Sequence, residues 1–199
     1  MQRAADHSCA YRSPAPLSYF AIVSVHLSTT KDAMDSSRST PPGSPSHRSI
    51  LISVAHQRLA LLVPDRARMF PVSTARWGTG AAEGSQQTPL GAHRIRHKIG
   101  GGAAWGTIFK ARRSTGAVWD GVAVDDDLIL SRILWLEGLE DGVNRGAGID
   151  SFDRYIYIHG TNHEQLIGTP ASHGCVRMRN DDIIELFDCV EEGDRVIIS

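Results

Sequence analysis

A chain of 199 residues with 41% hydrophobic content is long enough to bury one core, and a formal net charge of −1 gives no electrostatic reason to bind nucleic acid or an anionic membrane surface. The apolar residues are unevenly spread. Residues 1–48 are dense in Ser, Pro and Thr without a sustained period and are expected to be mostly disordered; within them Leu17 to Leu27 reads equally as a poor secretory-signal core or as sequence ahead of a natural start at Met34.

The folded part is expected over residues 49–199. Ile50 to Val54, Gln57 to Val63 and Arg66 to Ser73 are β-type runs, with a turn at Pro64-Asp65, so the domain should open as a meander. Trp77 to Gly91 is rich in glycine and small polar residues and reads as a surface excursion. Ala92 to Ile99 is a strand ended by Gly100-Gly101-Gly102. Ala103 to Asp127 is mixed, with Trp105, Phe109 and Trp119 among Lys110, Arg112 and Arg113. Ile129 to Glu137 is a strand with Leu130, Arg132 and Leu134 on one face and Ser131, Ile133 and Trp135 on the other, and a loop follows to Asp150.

Tyr155 to His159 alternates Tyr and Ile with period two, which puts His159 at a strand end before Gly160-Thr161-Asn162. A connection rich in Gly, Thr, Pro and Ser then delivers Ser172-His173-Gly174-Cys175. A helix follows, with Asn180 as its cap, Ile183, Phe187 and Val190 on its inner face and Gly193 as its end. Val196 to Ile198 makes a last strand that should share a sheet with the first.

Two histidines and one cysteine therefore converge. A free thiol titrates near pH ~8.5, so a nucleophilic cysteine needs an imidazole or a positive neighbourhood, and His159, His173 and Arg177 are candidates to supply one. Gly174 lets the backbone N–H groups of Gly174 and Cys175 face a developing oxyanion. Two structural readings compete. His159, His163, His173 and Cys175 offer donors for a structural zinc, although Gly160-Thr161-Asn162 is not helical sequence. A buried inert cysteine is the other, and it suits Cys189, beside Phe187 and Val190, better than Cys175.

His159-Gly160-Thr161-Asn162 and, with twelve positions between His159 and Ser172, Ser172-His173-Gly174-Cys175-Val176-Arg177-Met178 together resemble the signature of the YkuD-type L,D-transpeptidase catalytic domain. Gln57-Arg58-Leu59, Pro71-Val72-Ser73, Thr88-Pro89-Leu90-Gly91, Asn180-Asp181, Leu186-Phe187 and Gly193 also resemble that family, whereas His93 stands where it commonly has an aromatic residue. The resemblance implies a mainly β fold, a sandwich or barrel with one clear helix in its C-terminal half, and makes 103–127 a flap over the cleft. It implies Cys175 as nucleophile, His159 as base, His173 shaping the loop or sharing that role, and Gly174 at the oxyanion. Arg177, Ser172, Gly160 and Asn162 would meet substrate, although Arg177 equally suits a loop-stabilising ion pair and Ser172 a hydrogen bond within the loop. The implied partners are peptidoglycan stem peptides, with carbapenem-type β-lactams as covalent inhibitors, no cofactor or metal, a monomer, and a periplasmic or cell-envelope location. A carboxypeptidase or cysteine amidase, and a non-catalytic wall-binding or zinc-stabilised module, are the alternatives.

Overall fold

The computed structural model describes residues 48–199 apart from Asp65 and Ala123. The readings made for the first 47 residues, including the apolar run and the start at Met34, lie outside it.

Strands β1 (Ser49–Ser53), β2 (Arg58–Val63) and β3 (Arg66–Pro71) form the expected meander. Its register aligns Ile52 with Leu59 and Leu59 with Phe70, and all three are buried, as period-two side chains on one face must be. The last strand, β10 (Arg195–Ile198), lies parallel to β1, so the first and last strands of the described domain share one sheet. From β10 the sheet continues antiparallel through β4 (Gly91–Ile99) to β7 (Ile129–Gly138). Beyond that pairing β7 takes β5 (Thr107–Lys110), which forms a hairpin with β6 (Arg113–Val118). β7 also pairs with β8 (Tyr157–Gly160), and β8 carries β9 (Val176–Met178) parallel to itself.

Two backbone hydrogen bonds, Ser73 N–H to Arg177 O at 2.9 Å and Arg177 N–H to Ser73 O at 2.8 Å, join β9 to the chain leaving β3. The mainly β fold is thus one mixed sheet carried toward barrel closure, with one α-helix among the described residues, α1 (Asn180–Cys189), beside it. Ile183, Leu186, Phe187 and Cys189 are the buried apolar side of that helix, packed with the strands' inner residues.

Three local readings need correction. Asn180 does not cap α1. Arg179 occupies the cap position without a side-chain bond, and the Asn180 N–H is taken by Glu164 Oε1 at 2.8 Å, from the single 3-10 turn Glu164–Leu166. A distant carboxylate thus does the capping, which no local motif announces. The helix ends at Cys189, and Gly193, at φ 94°, instead serves the turn into β10. In β7 the period-two faces are interrupted at Ser131 (φ 65°), where the register with β8 shifts; its hydroxyl donates to Asn180 Oδ1 at 2.7 Å and accepts from Gly106 N–H at 3.0 Å.

Candidate active site

The parallel pairing of β8 with β9 sets His159 opposite Arg177 and Ile158 opposite Val176. Cys175 stands in the bend just ahead of β9 and packs against Phe109, Ile133 and Tyr157; Ile133 is opposite His159 in the β7–β8 register and Tyr157 is two residues before it, so the thiol lies on the sheet face that carries His159. β8 begins two residues later than the alternation suggests. Tyr155 adopts φ 56°, and the N–H groups of Tyr155 and Ile156 close a turn on Phe152 O and Ser151 O, each at 3.0 Å. That turn brings the Tyr155 carbonyl to 3.5 Å from Cys175 Sγ.

The loop carrying Cys175 is held from several sides. Ser172 N–H donates to Thr74 O at 2.9 Å and Arg76 N–H to Ser172 O at 3.0 Å. Thr88, fully buried, accepts from Ala75 N–H and donates its hydroxyl to Gly174 O, both at 3.0 Å. Gly174 has φ 125°, a conformation that excludes a side chain here. Ser172 is spent inside the loop: its hydroxyl donates to Cys175 O at 2.6 Å and accepts from Gly174 N–H at 3.3 Å. It therefore braces the turn that carries Cys175.

Cys175 is a free, half-buried cysteine at a cavity of about 260 Å³, lined also by Glu83, Asp153, Arg154, Tyr155, Ile156 and His173. Burial of the sulfur pushes the thiol up to about 11; a backbone hydrogen bond from Tyr157 pulls the other way, Asp127 adds to the rise, and Arg177 and Arg154 oppose it. His159 is buried, which lowers its pKa. Its Nδ1 lies 2.7 Å from Gly160 O, and since a carbonyl only accepts, Nδ1 carries the proton and Nε2 is left as acceptor. The resting pair is thus a neutral thiol and a neutral imidazole.

The remaining predicted residues do different work. Arg177 is 2% exposed and ion-paired with Asp127, so the ion-pair reading holds in this conformation. Gly160 is needed for packing: a Cβ there would fall onto Asn180 Oδ1 and 2.7 Å from Leu130 O. Asn162 is buried and bonds three backbone groups of the flap's end, accepting from Leu128 N–H at 2.9 Å and donating to Asp126 O at 2.8 Å and Val124 O at 3.2 Å. Neither Gly160 nor Asn162 lines the cavity at Cys175; Asn162 lines a separate one of about 370 Å³ with Trp119 and His163. His173 is exposed, with Nδ1 3.2 Å from Asp127 Oδ2. Among the described residues no group of three or more His, Cys, Asp or Glu side chains is placed to hold a metal ion.

Sequence reasoning missed Asp127 and Arg154. Asp127 was assigned only to the flap; the visible signal was the run Asp125-Asp126-Asp127 directly before a strand. Burial alone would raise its pKa, but Arg177, His159 and His173 outweigh that and hold it below the usual carboxylate value. Arg154 precedes β8, and its guanidinium donates to Gln87 O at 2.8 Å and Gly80 O at 3.2 Å. The flap's mixed aromatic and basic residues also find a use. Arg112, at the turn of the β5–β6 hairpin, lies 4.5 Å from the Tyr155 ring centroid and 5.0 Å from that of Trp135, and bonds Tyr157 Oη at 3.3 Å.

Residues 47–198 match the family model described as YkuD, L,D-transpeptidase catalytic domain. YqjB of Bacillus subtilis (strain 168), whose name assigns it to the L,D-transpeptidases, is 48% identical over 58 residues, covering 28% of this chain and 33% of that protein. ErfK/SrfK of Escherichia coli (strain K12), likewise named, is 56% identical over 45 residues, covering 23% and 14%. The matched stretches thus span a third or less of these curated relatives. Among solved structures, L,D-transpeptidase 3 from Mycobacterium tuberculosis in complex with a faropenem-derived adduct aligns with a TM-score of 0.50 at 15% identity, over 77% of this chain and 60% of that one, a likeness of fold.

Proposed function

We propose that this chain, which belongs to the YkuD family of L,D-transpeptidase catalytic domains, crosslinks peptidoglycan stem peptides through a thioester on Cys175. The observation that carries the reading is a free thiol at the edge of a cavity, on the sheet face that also carries an imidazole whose Nε2 is an acceptor. In this reading the donor is a stem tetrapeptide with a diamino acid third and D-alanine last. Cys175 Sγ attacks the carbonyl before the D-alanine while His159 Nε2 takes the thiol proton. The amides of Gly174 and Cys175 serve the oxyanion, and the Gly174 N–H exchanges its long 3.3 Å bond to Ser172 for it. Collapse breaks the C–N bond, His159 gives its proton to the leaving amine, and an amine of a second stem then displaces the thiolate. Water in its place would give carboxypeptidase action at the same site. The reading has the chain work in the cell envelope, where stem peptides are.

The test is intact-protein mass after mixing the full chain with a carbapenem, run beside Cys175→Ala. A single adduct on the parent and none on the variant is expected. A folded parent that stays unmodified refutes the acylable nucleophile.

A further inference from the structure

The flap ends in a segment that is fixed, not loose. Asn162 holds three backbone groups between Val124 and Leu128, and His163 Nε2 lies 3.3 Å from Val124 O. Between those anchors Asp127 projects its carboxylate onto the catalytic loop. Four groups face it: Arg177 from β9, His173 from the loop with Nδ1 at 3.2 Å, His163 with Nδ1 at 4.0 Å, and His159 from β8; on its own segment stand Asp125 and Asp126. A carboxylate only accepts, so His173 must donate from Nδ1, which leaves its Nε2 as a hydrogen-bond acceptor. His173 and Cys175 line the same cavity, and the His173 side chain is 53% exposed whereas His159 is buried.

Resting on the transpeptidase reading, we propose that Asp127 is a positioning residue that makes His173 a second base, one that works on the acceptor amine at the open mouth of the cleft. The two half-reactions then use different imidazoles. His159 takes the thiol proton during acylation and returns it to the leaving amine. In the second half the acceptor nitrogen bonds to the thioester carbonyl carbon, the C–S bond breaks, and the N–H proton passes to His173 Nε2. The resulting imidazolium is paired with the Asp127 carboxylate. Its proton then goes to the Cys175 thiolate, which restores the neutral resting site. Because Asp127 is carried by the flap, the second base is complete only when the flap's end is seated on Asn162.

The experiment uses the full chain, a synthetic stem tetrapeptide ending in D-alanine as donor and, as acceptor, a stem tripeptide that carries the diamino acid's free amine and no D-alanine, so that the acceptor step is not the reverse of the donor step. Exchange of D-alanine for that acceptor, which joins the two stems, is followed by mass, and acylation by a carbapenem is timed separately. Asp127→Asn is expected to slow exchange by roughly 10- to 100-fold, the lower part of what a general base contributes, and to slow it at least about tenfold more than it slows carbapenem acylation. The pH profile of exchange should lose the limb that belongs to the second base, and Asp127→Glu should restore part of the rate. Melting curves of both variants show whether each is folded. Equal slowing of acylation and exchange with an unchanged pH profile makes Asp127 a structural clamp and overturns the proposal alone, as does unchanged exchange. A parent that neither acylates nor exchanges overturns the transpeptidase reading and this proposal with it.

Discussion

Titrating Cys175 between about pH 6 and pH 11 with a small neutral aromatic disulfide probes the buried state of its sulfur. Burial moves the thiol from its ordinary 9.0 to about 11, so at pH 8 it holds about a hundredfold less thiolate than an unperturbed cysteine. The rarer thiolate is also the more basic one and attacks more readily, with a Brønsted slope of about 0.4–0.5, which returns roughly a factor of ten. The net expectation at pH 8 is a rate roughly tenfold below that of an unperturbed thiol, with a midpoint near 11. Chromophore release by the parent minus that by Cys175→Ser isolates this site, and circular dichroism at each pH shows where the fold is intact. Arg154→Gln should slow the reaction further, because that guanidinium pulls the thiol down and burial is the larger opposing influence. A midpoint at or below about 9 refutes the reasoning, since it means a preformed thiolate–imidazolium pair of the kind that depresses cysteine pKa values.

His93 gives an acid-stability prediction. It is fully buried, with Nδ1 3.0 Å from Gly91 O and Nε2 3.0 Å from Ser151 Oγ, and burial lowers its pKa from 6.5 to about 4. The unfolded chain takes a proton below 6.5 and the folded one only near 4, so this group's contribution is complete above 6.5 and falls as pH drops toward 4, by about 3 kcal/mol at most. Urea midpoints at pH 7 and 4.5 should therefore separate more for the parent than for His93→Gln, and equal separations would sink the assignment. Gly160→Ala should destabilise by about 1–3 kcal/mol and lower carbapenem acylation, because its Cβ would meet Leu130 O at 2.7 Å as well as Asn180 Oδ1. A variant with the parent's melting temperature would show that β8 can move away from α1 at no cost.

The sequence made the Cys175 loop and the outer strands legible for the same reason: both are written in contiguous residues. Ile50, Ile52, Leu59 and Leu61 alternate because one face of a meander is buried, and Ser172 to Cys175 stand together because one loop must hold the thiol and its amides. What stayed hidden is set by pairs far apart in the chain. Glu164 caps α1 from a 3-10 turn, Asn162 anchors 124–128, and Asp127 reaches Arg177 across fifty positions of sequence. The period-two pattern through Tyr155 misled about the start of β8 because local alternation does not register a positive φ. His93 departs from the usual aromatic because a buried ring with two polar edges can tie β4 to the loop before the catalytic strand, where a phenyl ring could only fill space.

The run His159-Gly160-Thr161-Asn162 then divides into one chemical residue and three that hold it. His159 presents Nε2 because the next residue's carbonyl takes its Nδ1 proton. That carbonyl is in place because Gly160 has no side chain to hold β8 off β7 and α1. Thr161 O accepts from Asn180 Nδ2 at 2.9 Å, which ties the same stretch to the helix start, and Asn162 seats the end of the flap. A binding role for Gly160 or Asn162 would need their polar groups free toward the cavity, and each is already committed to backbone or side-chain partners inside the fold. In the proposed reading, selectivity for a stem peptide then comes from what does line the cavity: Arg154 as a hydrogen-bond donor and positive charge, Tyr155 as an apolar wall, and Glu83 and Asp153 as carboxylates suited to an ammonium group. The substitution that should alter donor preference while the acylating machinery stays intact therefore lies at Glu83 or Asp153, outside the signature altogether.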